Sequence, residues 1–384
     1  MPIRSVKSAN LRGKRVIIRV DMNVPFDHKG RIRDDFRIRE SLATIRLVLR
    51  RGGSVLVLLH RGRPAGRDKN LSVVPIARRA AKILGMDVRI VSDPIRERPD
   101  KYKNARVLFS ENIRFFGGEQ KNSKEFAKRL ADWGDLYVND AFAVSHRRAA
   151  SVVGIPRYLP AFAGLLVEKE LRGLAPLQHH PRRPFVVILG GAKAETKIPY
   201  IAPLLKKADK LIAGGVILNT LLAGWGHETG KSVVEKSQLS NAKKLSRARR
   251  LLIADDVCVL GGDMAKGSMC TIPLASVGAS DYILDVGPMS VMRFAPILER
   301  ARTILWNGPL GNTDRALGDR ATRAFAKILK KSRARIVVGG GDLEAALKKE
   351  KVKGRNFFVS TGGGAMLEYV AYGTLPGIKA LERK

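Results

Sequence analysis

Two cysteines in 384 residues, Cys258 and Cys270, are too few for a disulfide framework or a zinc site and too far apart for a Cys-x-x-Cys pair. No apolar run approaches the roughly 18 residues that a membrane span needs. The opening Met1-Pro2-Ile3-Arg4-Ser5-Val6-Lys7 lacks the apolar stretch of a secretory leader. These absences lead to the expectation of a cytoplasmic, disulfide-free protein with no membrane partner. Acid is scarce as well: 35 Asp and Glu stand against 71 Lys and Arg, a net charge of +36. The excess is even, with +18 on residues 1–150 and +18 on residues 151–384, so it is not gathered in a tail. Such charge attracts polyanions, and binding of nucleic acid is the rival function it suggests. Yet no interleaving of basic and aromatic residues and no nucleic-acid motif accompanies it. No obligate nucleic-acid partner is expected, and clusters such as Lys243-Lys244 with Arg247 read as solvated helix faces.

What is present is a regular alternation. Short runs rich in Val, Ile and Leu occur at Arg15–Val20, Val55–Leu59, Val88–Val91, Arg106–Phe109 and Leu136–Val138. They recur at Phe185–Leu189, Lys210–Ala213, Val257–Leu260, Tyr282–Leu284, Thr303–Leu305, Ile336–Val338 and Phe357–Val359. Continuous apolar strands separated by helical patterns predict parallel sheets covered on both faces. At this length the chain exceeds what one core supports. The fold class is therefore α/β, with two doubly wound, Rossmann-like parallel-sheet domains that bind ligands at the carboxyl ends of their strands. Val167, Leu171 and Leu174 mark a helix, and the stretch from Pro176 to Pro184 after it reads as a linker, so the two together make an interdomain hinge. A nicotinamide-dependent dehydrogenase would need GxGxxG after the first strand, where Asp21-Met22-Asn23 stands instead.

Near the C-terminus two strand-like runs end in glycine loops, Gly339-Gly340-Gly341-Asp342 and Ser360-Thr361-Gly362-Gly363-Gly364. Each precedes a helical pattern, Leu343-Ala346-Leu347 in one case and Met366-Leu367-Val370 in the other. Glycines let the main chain approach a ligand, and a helix N-terminus offers free N–H groups and a positive dipole end. The pair predicts a phosphate site, with Asp342 as a hard oxygen ligand for the Mg²⁺ of a bound nucleotide. In the first half the strand ends are polar instead, with Asp21, Asn23, Arg37, His60, Arg63, Arg114 and Arg147 all falling there. Guanidinium forks suit phosphate and carboxylate oxygens, so several converging would hold a small, multiply charged acid.

RVDxNVP, HxGRP, ENxRF, NDAF followed by HR, GGAKxxxK, WNGPxG, GGGD and STGGGA occur here in this order. On these motifs the chain resembles the phosphoglycerate kinase family over essentially its whole length. The resemblance implies a phosphoglycerate-binding domain (1–163), an interdomain helix and linker (164–184) and a nucleotide-binding domain (185–366), with 367–384 packing back on the first. It implies a monomer that transfers phosphoryl reversibly between 1,3-bisphosphoglycerate with ADP and 3-phosphoglycerate with ATP, after closure of the cleft. The acid would be held by Asp21, Asn23, Arg37, His60, Arg61, Gly62, Arg63, Arg114 and Arg147. Arg37, not Arg39, matches the family's catalytic arginine. Lys193 would reach the transferred group, with the amides of Gly363 and Gly364. The nucleotide would lie against Gly191, Ala192, Lys197, Asn307, Gly311, Asp314, Gly340, Gly341, Asp342 and Leu343. Three positions depart from the family pattern: Asp314 for Glu, Leu343 for Ser or Thr, and Met22 for Phe.

Overall fold

The computed structural model describes residues 3–261 and 269–382. The chain divides into two compact units, Met1–Arg172 with Thr374–Lys384, and Gly173–Gly373. The division falls inside the helix Leu165–Gln178, which takes in Pro176 and so runs further than the linker boundary expected from sequence.

The first unit is built on a six-stranded parallel sheet. Its strands are β1 (Arg15–Val20), β2 (Ser54–Leu58), β3 (Arg89–Val91), β4 (Val107–Ser110), β5 (Leu136–Asp140) and β6 (Ala161–Ala163). They lie in the order β3-β4-β2-β1-β5-β6. On β1 the β-branched run Val16-Ile17-Ile18 is wholly buried, because helices cover both faces of a parallel sheet. Val16, Ile18 and Val20 share one core with Ile38, Leu42, Ile45 and Val48 of the helix Phe36–Arg50. That helix buries positions spaced at three and four residues and leaves Arg39, Arg46 and Arg50 exposed. The C-terminal residues join this unit, where Gly377 N–H donates to Ser145 O (2.7 Å) and Gly377 O accepts from Asn139 Nδ2 (3.3 Å).

The second unit carries a six-stranded parallel sheet and a three-stranded antiparallel one. Its strands are β7 (Phe185–Leu189), β8 (Lys210–Ala213), β9 (Leu251–Leu252), β10 (Asp256–Leu260), β11 (Met269–Pro273), β12 (Tyr282–Val286), β13 (Thr303–Asn307), β14 (Arg335–Gly339) and β15 (Phe357–Ser360). The parallel order is β15-β14-β13-β7-β8-β9. Its core centres on Trp306, Phe294 and Phe325, whose rings meet edge to face at 6.1–6.3 Å. The helix Gly363–Tyr372 belongs here, tied by Tyr200 Oη to Glu368 Oε2 (2.7 Å).

The expectation of parallel pairing fails for Val257–Leu260 and Tyr282–Leu284. These runs form β10 and β12, which pair antiparallel in the small sheet β11-β10-β12. A parallel return needs a crossover of a dozen or more residues, usually a helix. Between Leu260 at the end of β10 and Met269 at the start of β11 only eight residues intervene, too few for such a crossover, and β12 takes the other edge of β10 running in the same direction as β11. Strands β6, β9 and β11 escaped the sequence reading because Ala161-Phe162-Ala163 and Leu251-Leu252 are very short and β11 is mostly exposed. No helix among the described residues is long and apolar enough to cross a membrane.

Phe325→Ala removes a fully buried ring touching two others, and should cost the second unit about 3–5 kcal/mol. Urea titration followed by Trp306 fluorescence checks this; a loss below 1 kcal/mol would contradict the packing described.

Candidate active site

In the first unit, parallel register sends the chain out of the sheet at one edge from β1, β2, β4 and β5. After β1, Asp21 is buried, and its Oδ2 accepts a short bond from Arg37 Nη1. Arg37 reaches it from the first turn of the helix Phe36–Arg50, whereas Arg39, two residues on, is turned to Asp35 (2.7 Å) and shares it with Arg79. Burial pushes the Asp21 carboxyl up, but Arg37, His60 and Arg19 together outweigh it and hold the group below its ordinary range.

After β2, the Asn23 side-chain oxygen accepts from Gly62 N–H (3.1 Å), and Gly62 O accepts from Arg114 Nη1 (2.7 Å). Arg114 is thus strapped across the loop. Burial lowers it to about 10, and the like charges of Arg19 and Arg147 add to the shift. Burial also lowers Arg147, as does its neighbour Arg63, which is itself exposed. Burial holds His60 well below the ordinary imidazole range, against the pull of Asp21. Asp21, Asn23, Arg37, His60, Gly62, Arg63, Arg114 and Arg147 therefore come together. Arg61 does not join them with its side chain. Its guanidinium lies 3.5 Å from the centre of the Phe26 ring and donates to Ser72 O at 2.9 Å.

In the second unit the site is mostly main chain. The loop after β7 carries Gly190 and Gly191, and Lys197 folds back so that Nζ donates to Gly190 O (2.5 Å). A Cβ at Gly190 would collide with Pro309 O, and one at Gly308 would lie 2.7 Å from Lys197 Nζ. The Lys197 ammonium is largely buried, and burial followed by the repulsion of Lys193 lowers it to about 8, with Asp342 opposing. Lys193 is exposed. Asn307, the last residue of β13, donates through Nδ2 to Gly363 O (3.2 Å), joining the strand end to the N-terminus of the helix Gly363–Tyr372. Gly340 has φ +109°, a conformation only glycine adopts freely, and it starts the helix Gly341–Lys349. A Cβ at Gly341 or at Gly364 would meet nothing within 4 Å, so both helix N-termini open on free space.

A cavity of about 180 Å³ lies beside these loops, lined by Gly191, Ala192, Gly215, Gly311, Asp314 and Asp342 among others. Leu343 does not line it: its side chain is fully buried in the core, as its apolar character dictates.

Residues 6–372 match the sequence model of the Phosphoglycerate kinase family. This chain belongs to the phosphoglycerate kinase family. It is 40% identical over 391 residues to the phosphoglycerate kinase of Pelotomaculum thermopropionicum, covering 99% of both chains. It is 39% identical over 393 residues to that of Thermosynechococcus vestitus, covering 99% of this chain and 98% of the relative. Among solved structures, phosphoglycerate kinase from Coxiella burnetii superposes with a TM-score of 0.82 at 36% identity, over 99% of both chains. That from Pyrococcus horikoshii OT3 superposes with a TM-score of 0.84 at 30% identity, over 99% of this chain and 98% of the other. The enzyme class follows: a phosphotransferase with a carboxyl group as acceptor.

Sequence reasoning missed several residues of this phosphoglycerate kinase fold. Gly214 and Gly215 follow β8 as Gly190 and Gly191 follow β7, a fourth strand–glycine–helix turn that was there to be read. Asp285 is buried beside Gly311, whose hypothetical Cβ would clash with its carboxylate. It accepts from Ala321 N–H (2.8 Å), at the N-terminus of the helix Arg320–Lys330, and burial pushes it up to about 7. Arg19 was hidden inside an apolar strand, where a charge is itself the signal.

Lys197 yields a stability prediction. Its folded pKa, about 8, lies below its unfolded value of 10.5, so the unfolded chain binds the proton more tightly and the buried charge costs stability below pH 8. Lys197→Met should raise the melting temperature of the ligand-free protein at pH 7, and the gain should shrink between pH 8 and 10.5. Calorimetry across that range checks the sign; a Met variant that melts lower throughout would refute it.

Proposed function

We propose that the chain carries out reversible phosphoryl transfer between 1,3-bisphosphoglycerate with ADP and 3-phosphoglycerate with ATP, and that the residues described above divide the two ligands between the two units. The observation that carries the assignment of the acid is the crowding of Arg37, Arg114 and Arg147 with His60 and Asp21, where burial and then like charges already depress Arg114. A multiply charged acid relieves that repulsion, and each charge-assisted bond to it contributes about 1.5–3 kcal/mol. Asn23 and Gly62 hold the loop that Arg114 spans, and Arg63 closes the ring of positive charge. We take the enzyme to act as a cytoplasmic monomer.

The nucleotide reading rests on the open helix N-termini at Gly341 and Gly364, the buried ammonium of Lys197 and the cavity beside Gly191, Ala192, Gly311 and Asp314. Gly340 and Asn307 shape that loop cluster from beneath, and Leu343 contributes backbone only. Magnesium fits this donor set as part of the nucleotide. Asp342 is an exposed carboxylate on the first turn of its helix, and Mg²⁺ is commonly held by one or two carboxylates together with substrate phosphates. When bound, the ion would neutralise charge on the phosphate oxygens.

In the ATP-consuming direction the nucleophile is the carboxylate of 3-phosphoglycerate, ionised at neutral pH, so no side chain has to remove a proton. What remains is positioning and charge stabilisation of a loose, metaphosphate-like transition state. Arg37 would face the transferring group from the acid side, and Lys193 with the amides of Gly363 and Gly364 from the nucleotide side. Arg37→Ala should lower kcat by about 100- to 1000-fold, the loss typical of one preorganised donor. Coupled turnover with ATP, 3-phosphoglycerate and Mg²⁺ checks this, alongside ATP binding by calorimetry. ATP affinity should stay within about twofold; a variant that keeps its turnover would remove Arg37 from the mechanism.

A further inference from the structure

Arg19 is 2% exposed, and every hydrogen-bonding partner around it fixes the direction of a proton. An arginine only donates. Its Nε–H donates to Ser151 Oγ (2.9 Å), Nη1 to the backbone oxygens of Val20 and Leu58, and Nη2 to His60 Nδ1 (3.2 Å). Ser151 Oγ, having accepted from Arg19, spends its own proton on Glu119 Oε1 (2.6 Å), while Ser151 N–H donates to Glu119 Oε2 (2.9 Å). Glu119 is 2% exposed and ends the chain, accepting at both oxygens; burial pushes its carboxyl up, and Arg19 and the two bonds from Ser151 oppose that shift. Ser151 is held in turn by its carbonyl, which accepts from Tyr137 Oη (2.8 Å).

We propose that Glu119 and Ser151 are positioning residues for the acid site: through Arg19 they hold His60 as the tautomer with its proton on Nε2, so that the free N–H is presented as a donor to an anionic substrate. The inference deepens the reading of the acid site given above and rests on it for the identity of the ligand. His60 Nδ1 also faces Asp21 Oδ1, but at 4.0 Å, beyond hydrogen-bond range, so the arginine at 3.2 Å sets the tautomer. The other charged groups facing the ring, Arg114 and Arg147, bear on it with Arg19 in disfavouring the imidazolium. A neutral ring with one lone pair already taken has a single proton left to offer. Without the relay, Nδ1 is free to carry the proton, and the ring then turns a lone pair toward an anion.

The tautomer is directly observable. In ligand-free, ¹⁵N-labelled protein, two-bond ¹H–¹⁵N correlation of the imidazoles, with His60→Gln to assign the signal, should show His60 purely in the Nε2–H form near neutral pH. Ser151→Ala and Glu119→Gln should show a mixture of tautomers. In the coupled assay both variants should raise KM for 3-phosphoglycerate about tenfold and leave KM for ATP within twofold. Ser151→Thr, which keeps the hydroxyl, should restore both readouts. A wild-type His60 carrying its proton on Nδ1 overturns the assignment. So does a Ser151→Ala variant with an unchanged spectrum and KM, or one in which both KM values and kcat shift together and Ser151→Thr rescues nothing. A wild type that does not turn over 3-phosphoglycerate defeats the reading of the ligand, and the imidazole spectrum then decides the tautomer alone.

Discussion

Parallel register is the constraint on which both sites depend. In a parallel sheet, neighbouring strands that start level also finish level, and the same edge receives every outgoing loop. In the second unit Leu189, Asn307, Gly339 and Ser360 form one row across four strands, so four glycine-bearing loops leave the sheet side by side. In the first unit Leu58, Arg19 and Asn139 form the corresponding row, and the polar loops follow directly. No long-range contact has to be invented to gather these residues. Pairing of apolar strands, driven by burial of Val and Ile, gathers them as a by-product.

In the function proposed above, the two units would recognise anions by opposite means. The first would use side-chain charge, brought out of water and held apart by Asn23, Gly62 and Asp21. Desolvation and mutual repulsion make that arrangement unfavourable until a negative partner arrives, which is why Arg114 and His60 are depressed. The second would use main-chain N–H groups at helix ends, which carry no net charge and repel nothing, with one buried ammonium, Lys197. Asp285 braces this loop cluster by packing against Gly311 and accepting from the helix Arg320–Lys330, which explains why so costly a buried carboxyl is present.

Much of this was legible from residues alone. The β-branched runs located most strands because burial on both faces leaves no polar position to blur them. The strand-end motifs located the polar loops because an arginine or histidine beside such a run is conspicuous. What sequence could not give was direction within the loops. Arg61 and Arg63 differ by two positions, and only packing shows that one is spent on Phe26 and Ser72. Leu343 sits beside Asp342, but the helix turns it inward by about 100°. The antiparallel β10–β12 pair was misread because pairing sense lies in the connection, and the strands themselves carry no mark of it. Glu119 and Ser151 were invisible for another reason: they act through Arg19, and sequence distance hides such second-hand contacts.

The two halves should also tolerate genetic change in opposite directions. Where recognition rests on guanidinium and imidazole groups, damage comes by truncation, and alanine is the harmful replacement. Where it rests on bare backbone, alanine is harmful because it adds an atom: at Gly190 the extra methyl would strike Pro309 O, and at Gly311 it would strike Asp285. A scan of alanine replacements would therefore chart the acid site as a set of lost groups and the nucleotide site as a set of filled spaces. The second map would be drawn almost entirely at residues that have no side chain to lose.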